Sequence, residues 1–407
     1  MNCRFCGRGL AHVFADLGHA PPSNSYLRPE QLNTPETYYP LKIWTCANCF
    51  LTQIDEFKSH ADIFSADYAY FSSFSSSWVA HAEAFVAQMA AELKLDEKSK
   101  VVEIASNDGY LLQFVKARGI PCLGIEPTRS TAEAARQKGI ETRELFFGRK
   151  TAEKLAQDGW QADLTAANNV LAHVPDINDF IAGFKILLKP AGVASFEFPH
   201  LLQLVANNQF DTIYHEHFSY LSLLAVERMM RAQGLRVFHV EELPTHGGSL
   251  RVFACHEKSG PATRDSVAAL LDKERAAGMD KMPFYEGFQA KADRVRLDFL
   301  KFLVEAKTAG KKIAAYGAAA KGNTLLNYCG VKRGMIDFVC DLSPHKQGLL
   351  LPGSHIPVLP PEELARQKPD YIVIFPWNLK AEITKQLSYA RDWGAQFAAA
   401  IPRLEVF

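Results

Sequence analysis

The sequence lacks net charge: 45 Lys and Arg residues stand against 45 Asp and Glu residues. That balance removes the strongly basic surface on which phosphate-gripping nucleic-acid binders depend, so no nucleic-acid partner is expected. It also lacks the charge excess of a disordered tail. No apolar run approaches the ~18–20 residues that span a bilayer, so no membrane partner is expected. Residues 1–20 show no basic stretch leading into an apolar one, and a cytoplasmic location is the expectation. Heptads, short repeats and low-complexity tracts are missing. So are the dinucleotide fingerprint GxGxxG, the Walker A loop and the zinc-protease motif HExxH. What is present is ordinary globular material: 407 residues, 48% hydrophobic and 22% charged, enough for two or three domains.

The 8 cysteines are unevenly placed. Cys3 and Cys6 form one CxxC, and Cys46 and Cys49 another. A CxxC on a tight turn aims two thiolates at one centre, and two such knuckles complete a tetrahedral structural Zn²⁺ site. Gly7 and Gly9 supply backbone freedom after the first pair. Two disulfides or unrelated thiols are the competing readings, and a cytosolic setting disfavours the disulfides. Cys122, Cys255, Cys329 and Cys340 are scattered and read as small buried hydrophobes. Residues 38–45 read as a strand leading into the second knuckle.

A helical pattern over 77–95 precedes a strand at 101–104, a small polar turn at 105–109 and a helix over 110–118. A strand, small-residue loop and helix start of this kind can cradle a polar ligand group on free N–H donors. A second strand, 122–125, ends at Glu126, placed for ribose hydroxyls as in doubly wound folds. Further strand tips fall at Asn168–Asn169 and Glu197. Strands alternate with helices, which predicts a parallel sheet.

Glu103-Ile-Ala-Ser-Asn-Asp-Gly109 resembles the first motif of class I S-adenosylmethionine (SAM) methyltransferases, and more narrowly the E-x-G-S-N-D-G loop of deoxysugar C-methyltransferases. Ala105 stands where that loop usually has glycine. The resemblance spans nearly the whole chain, from the paired CxxC to a C-terminal motif. It implies that Glu103, Ser106, Asn107, Asp108 and Gly109 surround the methionine end of SAM. Glu126 would hold the ribose, and Asn168 and Asn169 would lie beside the cofactor.

The densest polar cluster is Tyr214-His215-Glu216-His217. On an extended segment, His215 and His217 would share a face with Glu216 pointing away. Taken as residues, the cluster suits either a Zn²⁺ or Fe²⁺ site or acid–base chemistry. The resemblance implies the second: a Tyr-x-Glu-His run whose histidine, here His217, is the general base. Glu216 would then orient His217 or meet the substrate, and Tyr214 would contact a sugar. His173 would also face the sugar. Tyr68 and Tyr70 match a tyrosine motif that closes over the site; which of them reaches the substrate stays open.

A long amphipathic helix over 288–307 leads to a second strand, loop and helix start at 313–327. There Lys321, Asn323 and Thr324 sit at a helix N-terminus suited to phosphate. Strands ending at Asp341 and Asn378 complete a second Rossmann-like set. The resemblance implies that this unit helps bind a sugar nucleotide, and His246, Ser249 and Arg251 lead towards it.

The expectation is therefore an α/β chain: a zinc-binding module (1–66), a class I SAM methyltransferase domain (67–255) and a Rossmann-like sugar-nucleotide domain (256–407). Its implied reaction is methyl transfer from SAM to a nucleoside-diphosphate 4-keto-deoxysugar at C3, after proton abstraction by His217. An O- or N-methyltransferase of another small molecule, a non-catalytic zinc-containing binding protein and a metal-dependent hydrolase are the alternatives. The oligomeric state is not fixed by the sequence; a monomer is the default.

Overall fold

The computed structural model describes residues 1–57 and 71–407. The first strands are β1 (His12–Ala20), β2 (Tyr39–Thr45) and β3 (Thr52–Ile54). Then come β4 (Val101–Ile104), β5 (Cys122–Ile125), β6 (Thr142–Arg143), β7 (Ala162–Asn168), β8 (Leu188–Pro199), β9 (Ser219–Tyr220), β10 (Leu235–Leu243) and β11 (Ser249–His256). The C-terminal third adds β12 (Ile313–Tyr316), β13 (Phe338–Cys340), β14 (Val358–Leu359), β15 (Tyr371–Ile374), β16 (Gln396–Ala399) and β17 (Glu405–Val406).

These strands make three sheets, ordered β1-β2-β3-β9, β10-β11-β8-β7-β4-β5-β6 and β14-β13-β12-β15-β16-β17. The central sheet reverses its winding between β4 and β7, and ligands of open α/β sheets sit at such a switch point. β4 is buried along its whole length, as expected of a central parallel strand covered on both faces. The parallel expectation is corrected on one side. β10 and β11 form a hairpin through residues 244–248, and β11 runs antiparallel to β8. A link this short cannot make a parallel crossover.

The helix Ser76–Glu92 starts on Ser75, whose side chain accepts from the Trp78 N–H, and buries Trp78, Ala82, Phe85, Val86 and Met89 at helical spacing. The expected helix over 110–118 shrinks to Leu112–Lys116, because Gly109 turns the chain at φ +77° before it can start. The long helix appears as expected, at Phe288–Thr308.

The fourth strand of the N-terminal sheet comes from far along the chain: Thr52 pairs with Tyr220 and Gln53 with Ser219. The same sheet also faces the C-terminal unit. Phe14, Leu41 and Ile43 share one apolar core with Phe288, Phe299 and Ile313, and the Phe14 and Phe288 rings stack at 4.6 Å. No helix among the described residues is long and apolar enough to cross a membrane.

Candidate functional site

The four N-terminal thiols converge. The Sγ atoms of Cys3, Cys6, Cys46 and Cys49 all lie within 4.8 Å of one another. Cys3 meets Cys49 and Cys6 meets Cys46 at 3.5 Å, far beyond the ~2.05 Å of a disulfide. Four thiolates bound at ~2.3 Å in a tetrahedron would stand about 3.8 Å apart, so the set fits Zn²⁺ with no open position. Each knuckle closes on its first cysteine: Gly7 N–H donates to the Cys3 carbonyl and Phe50 N–H to the Cys46 carbonyl. Gly7 and Phe50 both take positive φ there.

At the tip of β4, Ala105 (φ +57°), Asn107 (φ +49°) and Gly109 (φ +77°) fold the loop tightly. Glu126, just past β5, accepts from the Asn107 and Thr128 N–H groups at 2.9 Å. Asn107 and Asp108 accept from the N–H groups of Ser72 and Ser73. Glu103 is completely buried, and burial drives its carboxyl well above the usual range, against the Tyr110 hydroxyl that favours the charge. Burial raises Glu126 too. Ser106 Oγ, Asp108 Oδ1, Asn168 Oδ1 and Asn169 Oδ1 are buried without hydrogen-bond partners among the described residues. Unsatisfied buried polar atoms gathered at a switch point are what a polar ligand such as SAM would satisfy.

Residues 214–217 form a turn, with His217 N–H donating to the Tyr214 carbonyl at 2.9 Å. The extended-segment expectation is thereby corrected: the two histidines part. His215 is buried and meets the Pro40 carbonyl, pinning β2. His217 instead places Nδ1 at 2.9 Å from the Thr212 carbonyl. A carbonyl only accepts, so Nδ1 carries the proton and the neutral ring keeps its lone pair on Nε2. Glu216 does not orient His217; Asn24 Nδ2 donates to both its oxygens at 2.7 and 2.8 Å. The Tyr214 ring lies 4.0 Å from His217, and the His173 ring meets it edge-on at 4.6 Å. Desolvation holds His217 well below its ordinary value, helped by His173, His246 and Lys321. Burial brings His173 down to about 4, and His246 falls to about 4 through burial and Lys321. His173, His217, His246 and Lys321 nonetheless all keep some accessible surface. The metal reading of this cluster loses its support, since the four cysteines make the one metal-competent group among the described residues.

Residues of the second Rossmann-like unit reach this cluster. Trp377, past β15, donates from Nε1 to Asp211 at 2.8 Å. Lys321 lies 4.6 Å from the Trp377 ring and donates to Asn378 at 2.7 Å. His246 takes φ +54° and meets Asn169 at 3.2 Å. Strain of this kind at a non-glycine residue persists only where surrounding structure enforces it.

Other residues expected to meet the substrate already have protein partners. Asn323 donates to the Ser23 carbonyl, Thr324 to that of Ile213 and Ser249 to that of Thr245. Arg251 is buried and donates to Glu197 and Glu241. The Asn323 and Thr324 bonds tie the C-terminal unit to distant segments, whereas those of Ser249 and Arg251 stay within the β8–β10–β11 part of the central sheet. Tyr68 and Tyr70 lie outside the described residues. Sequence reasoning missed Asn24, Thr212 and Trp377, whose partners are distant in sequence or backbone atoms. The Gly247-Gly248 pair is the sequence signal that could have pointed to the strained loop.

Residues 3–64 match a zinc-binding domain family, 79–240 a methyltransferase domain and 244–402 the C-methyltransferase C-terminal domain. The chain is 34% identical over 405 residues to the C-methyltransferase NovU of Streptomyces niveus, covering 100% of this chain and 96% of that one. It is 29% identical over 98 residues to a ubiquinone biosynthesis O-methyltransferase of Chelativorans sp., which is 24% of this chain and 39% of the relative. Magnesium protoporphyrin IX methyltransferase from Synechocystis PCC 6803, solved with bound SAM, aligns at 15% identity and a TM-score of 0.34, over 44% of this chain and 79% of that one.

Proposed function

This chain belongs to the SAM-dependent C-methyltransferases, with a structural zinc site, and on that premise we propose that it methylates a nucleoside-diphosphate 4-keto-deoxysugar at C3, with His217 as the base. One observation carries the reading: His217 has its Nδ1 proton committed to the Thr212 carbonyl, which leaves a neutral Nε2 lone pair in the cleft. SAM, when bound by Glu103, Ser106 to Gly109, Glu126, Asn168 and Asn169, supplies an electrophilic methyl group. The protein's own part is to make a carbon nucleophile. A ketone at C4 acidifies the C3–H bond, and His217 Nε2 takes that proton. At neutral pH the ring is unprotonated and its lone pair is ready to accept, while the lowered basicity takes away some driving force, which stabilisation of the enolate must supply. His173 and Tyr214 pack against its ring and fix its direction. The sugar would lie between these residues and His246, and the nucleotide would extend over the tips of β12, β13 and β15. In this reading residues 1–66, 67–255 and 256–407 act as zinc module, methyl-donor domain and sugar-nucleotide domain.

The test is methyl transfer from SAM to a panel of nucleotide 4-ketosugars, with His217→Ala in parallel. The wild type should add one methyl to a 4-ketosugar and none to its 4-hydroxy counterpart, and the variant should be slower by roughly 10²–10⁴. Equal turnover by the variant would falsify the base assignment. Turnover of the 4-hydroxy sugar would remove the ketone requirement.

A further inference from the structure

Lys321 occupies an unusual place for a cation. It lies in the first turn of the helix Ala320–Cys329, where the C-terminal sheet meets the cleft. Its ammonium is held by the Asn378 oxygen at 2.7 Å and by the face of Trp377 at 4.6 Å. Among the described residues no carboxylate pairs with it directly. The acid it senses is Asp211, and the Asp211 Oδ2 is turned to the Trp377 N–H. A partly desolvated cation without a contacting anion is costly unless the site is made to receive one.

Two anions are chemically available, the substrate diphosphate and the oxygen that becomes negative when a ketone is deprotonated. Position separates them. A Cβ on Gly247 would stand 2.3 Å from the Trp377 ring, so the ring beneath Lys321 abuts the residue next to His246. The Trp377 N–H holds Asp211, one residue before the Thr212 carbonyl that holds His217. Thr324, on the same helix as Lys321, donates to the Ile213 carbonyl. Lys321 is thus tied from several directions to the segment that carries the base, at the end of the cleft where the proton leaves.

We propose that the Lys321 ammonium binds the C4 oxygen of the substrate and stabilises the enolate, in place of the diphosphate contact expected from the sequence. The inference rests on the 4-ketosugar reading above. The C3–H bond breaks and its proton goes to His217 Nε2. The bond pair forms C3=C4, and the carbonyl pair moves to oxygen, opposite Lys321. C4=O then re-forms as C3 bonds to the methyl carbon, and the sulfur–methyl pair leaves with sulfur. A fixed cation beside a developing oxyanion contributes most in a water-poor site.

The experiment uses the full zinc-loaded chain. C3–H exchange of a nucleotide 4-ketosugar in D₂O without SAM is followed by NMR, and the Kd of the free nucleoside diphosphate is measured by calorimetry. Lys321→Met should slow exchange by roughly 10²–10³-fold, with the nucleoside diphosphate Kd within about 3-fold of wild type, and Lys321→Arg should recover part of the rate. Exchange at the wild-type rate in Lys321→Met, or a Kd weakened by about 10-fold or more, overturns the assignment. If Lys321→Met fails to bind SAM and so to fold, Asn378→Ala serves instead: slower exchange at unchanged Kd supports the proposal, and a wild-type rate overturns it. A wild type that exchanges no C3–H sinks the ketosugar reading itself, and this inference with it. A wild type that exchanges beside a Lys321→Met of equal rate sinks only the role of Lys321.

Discussion

His217 titrates in a setting that penalises its charged form. Its burial and the nearby Lys321 both work against protonation. The sign is fixed: a depressed histidine stays neutral above its lowered value, so the base role proposed for it would be available near neutrality and lost as pH falls through that value. The acid limb of kcat/KM should therefore fall below the ~6.5 of a free imidazole; a limb at 6.5 or above would contradict the burial argument. Ala105 offers a second test at this scale. It holds φ +57°, a conformation that costs an L-residue roughly 1–2 kcal/mol over glycine, offset in part by the unfolded-chain entropy of glycine. Ala105→Gly should stabilise the protein by about 0.5–1 kcal/mol in denaturant titration. A lower midpoint would mean that the methyl packs usefully.

The loop between β10 and β11 and the turn before β9 are the elements that assemble the cleft. Gly247 has φ +89° and no room for a side chain: a Cβ there would stand 2.3 Å from the Trp377 ring and 2.9 Å from Gln209 Nε2. Gly247→Ala should push Trp377 away from Asp211 and lower kcat by 10-fold or more, on the scale seen when a catalytic group is misplaced by about an ångström. SAM affinity should hold, since the tips of β4 and β5 are untouched. Steady-state kinetics beside SAM titration reads both, and unchanged kcat would show that the close approach is incidental. The turn at 214–217 was not legible in the sequence. The two histidines would share a face only on an extended segment, and the His217 N–H instead finds the Tyr214 carbonyl. Backbone pairing of that kind depends on where β9 is anchored, and β9 is anchored by residues some 165 positions away.

Across the whole molecule, the zinc site reaches the cleft through a short path. Gln53 Nε2 meets Cys3 Sγ at 3.2 Å, Gln53 pairs with Ser219 in β9, and Ser219 stands two residues from His217. Arg4 adds bonds to the Pro175 and Ile54 carbonyls. Cys46→Ser should release the zinc, seen by elemental analysis, and abolish methyl transfer while leaving SAM bound; full turnover by zinc-free protein would cut this path. The sequence by itself determined the local chemistry: the paired CxxC thiols, the Glu103–Gly109 loop and the Glu126 strand tip. Each is a short stretch whose geometry follows from neighbouring residues and strand–loop–helix periodicity, so each could be read without the fold. Only the tertiary structure decided which donors were already spent. Asn323 and Thr324 looked placed for phosphate and are bound to Ser23 and Ile213, and Arg251, expected near the substrate, is bound to Glu197 and Glu241. It also decided that Thr212, not Glu216, sets the tautomer of His217. A hydrogen bond is a matter of distance and direction in space, and partners as far apart as Thr324 and Ile213 (111 residues) or Asn323 and Ser23 (300 residues) leave no period or spacing in the chain by which to find them.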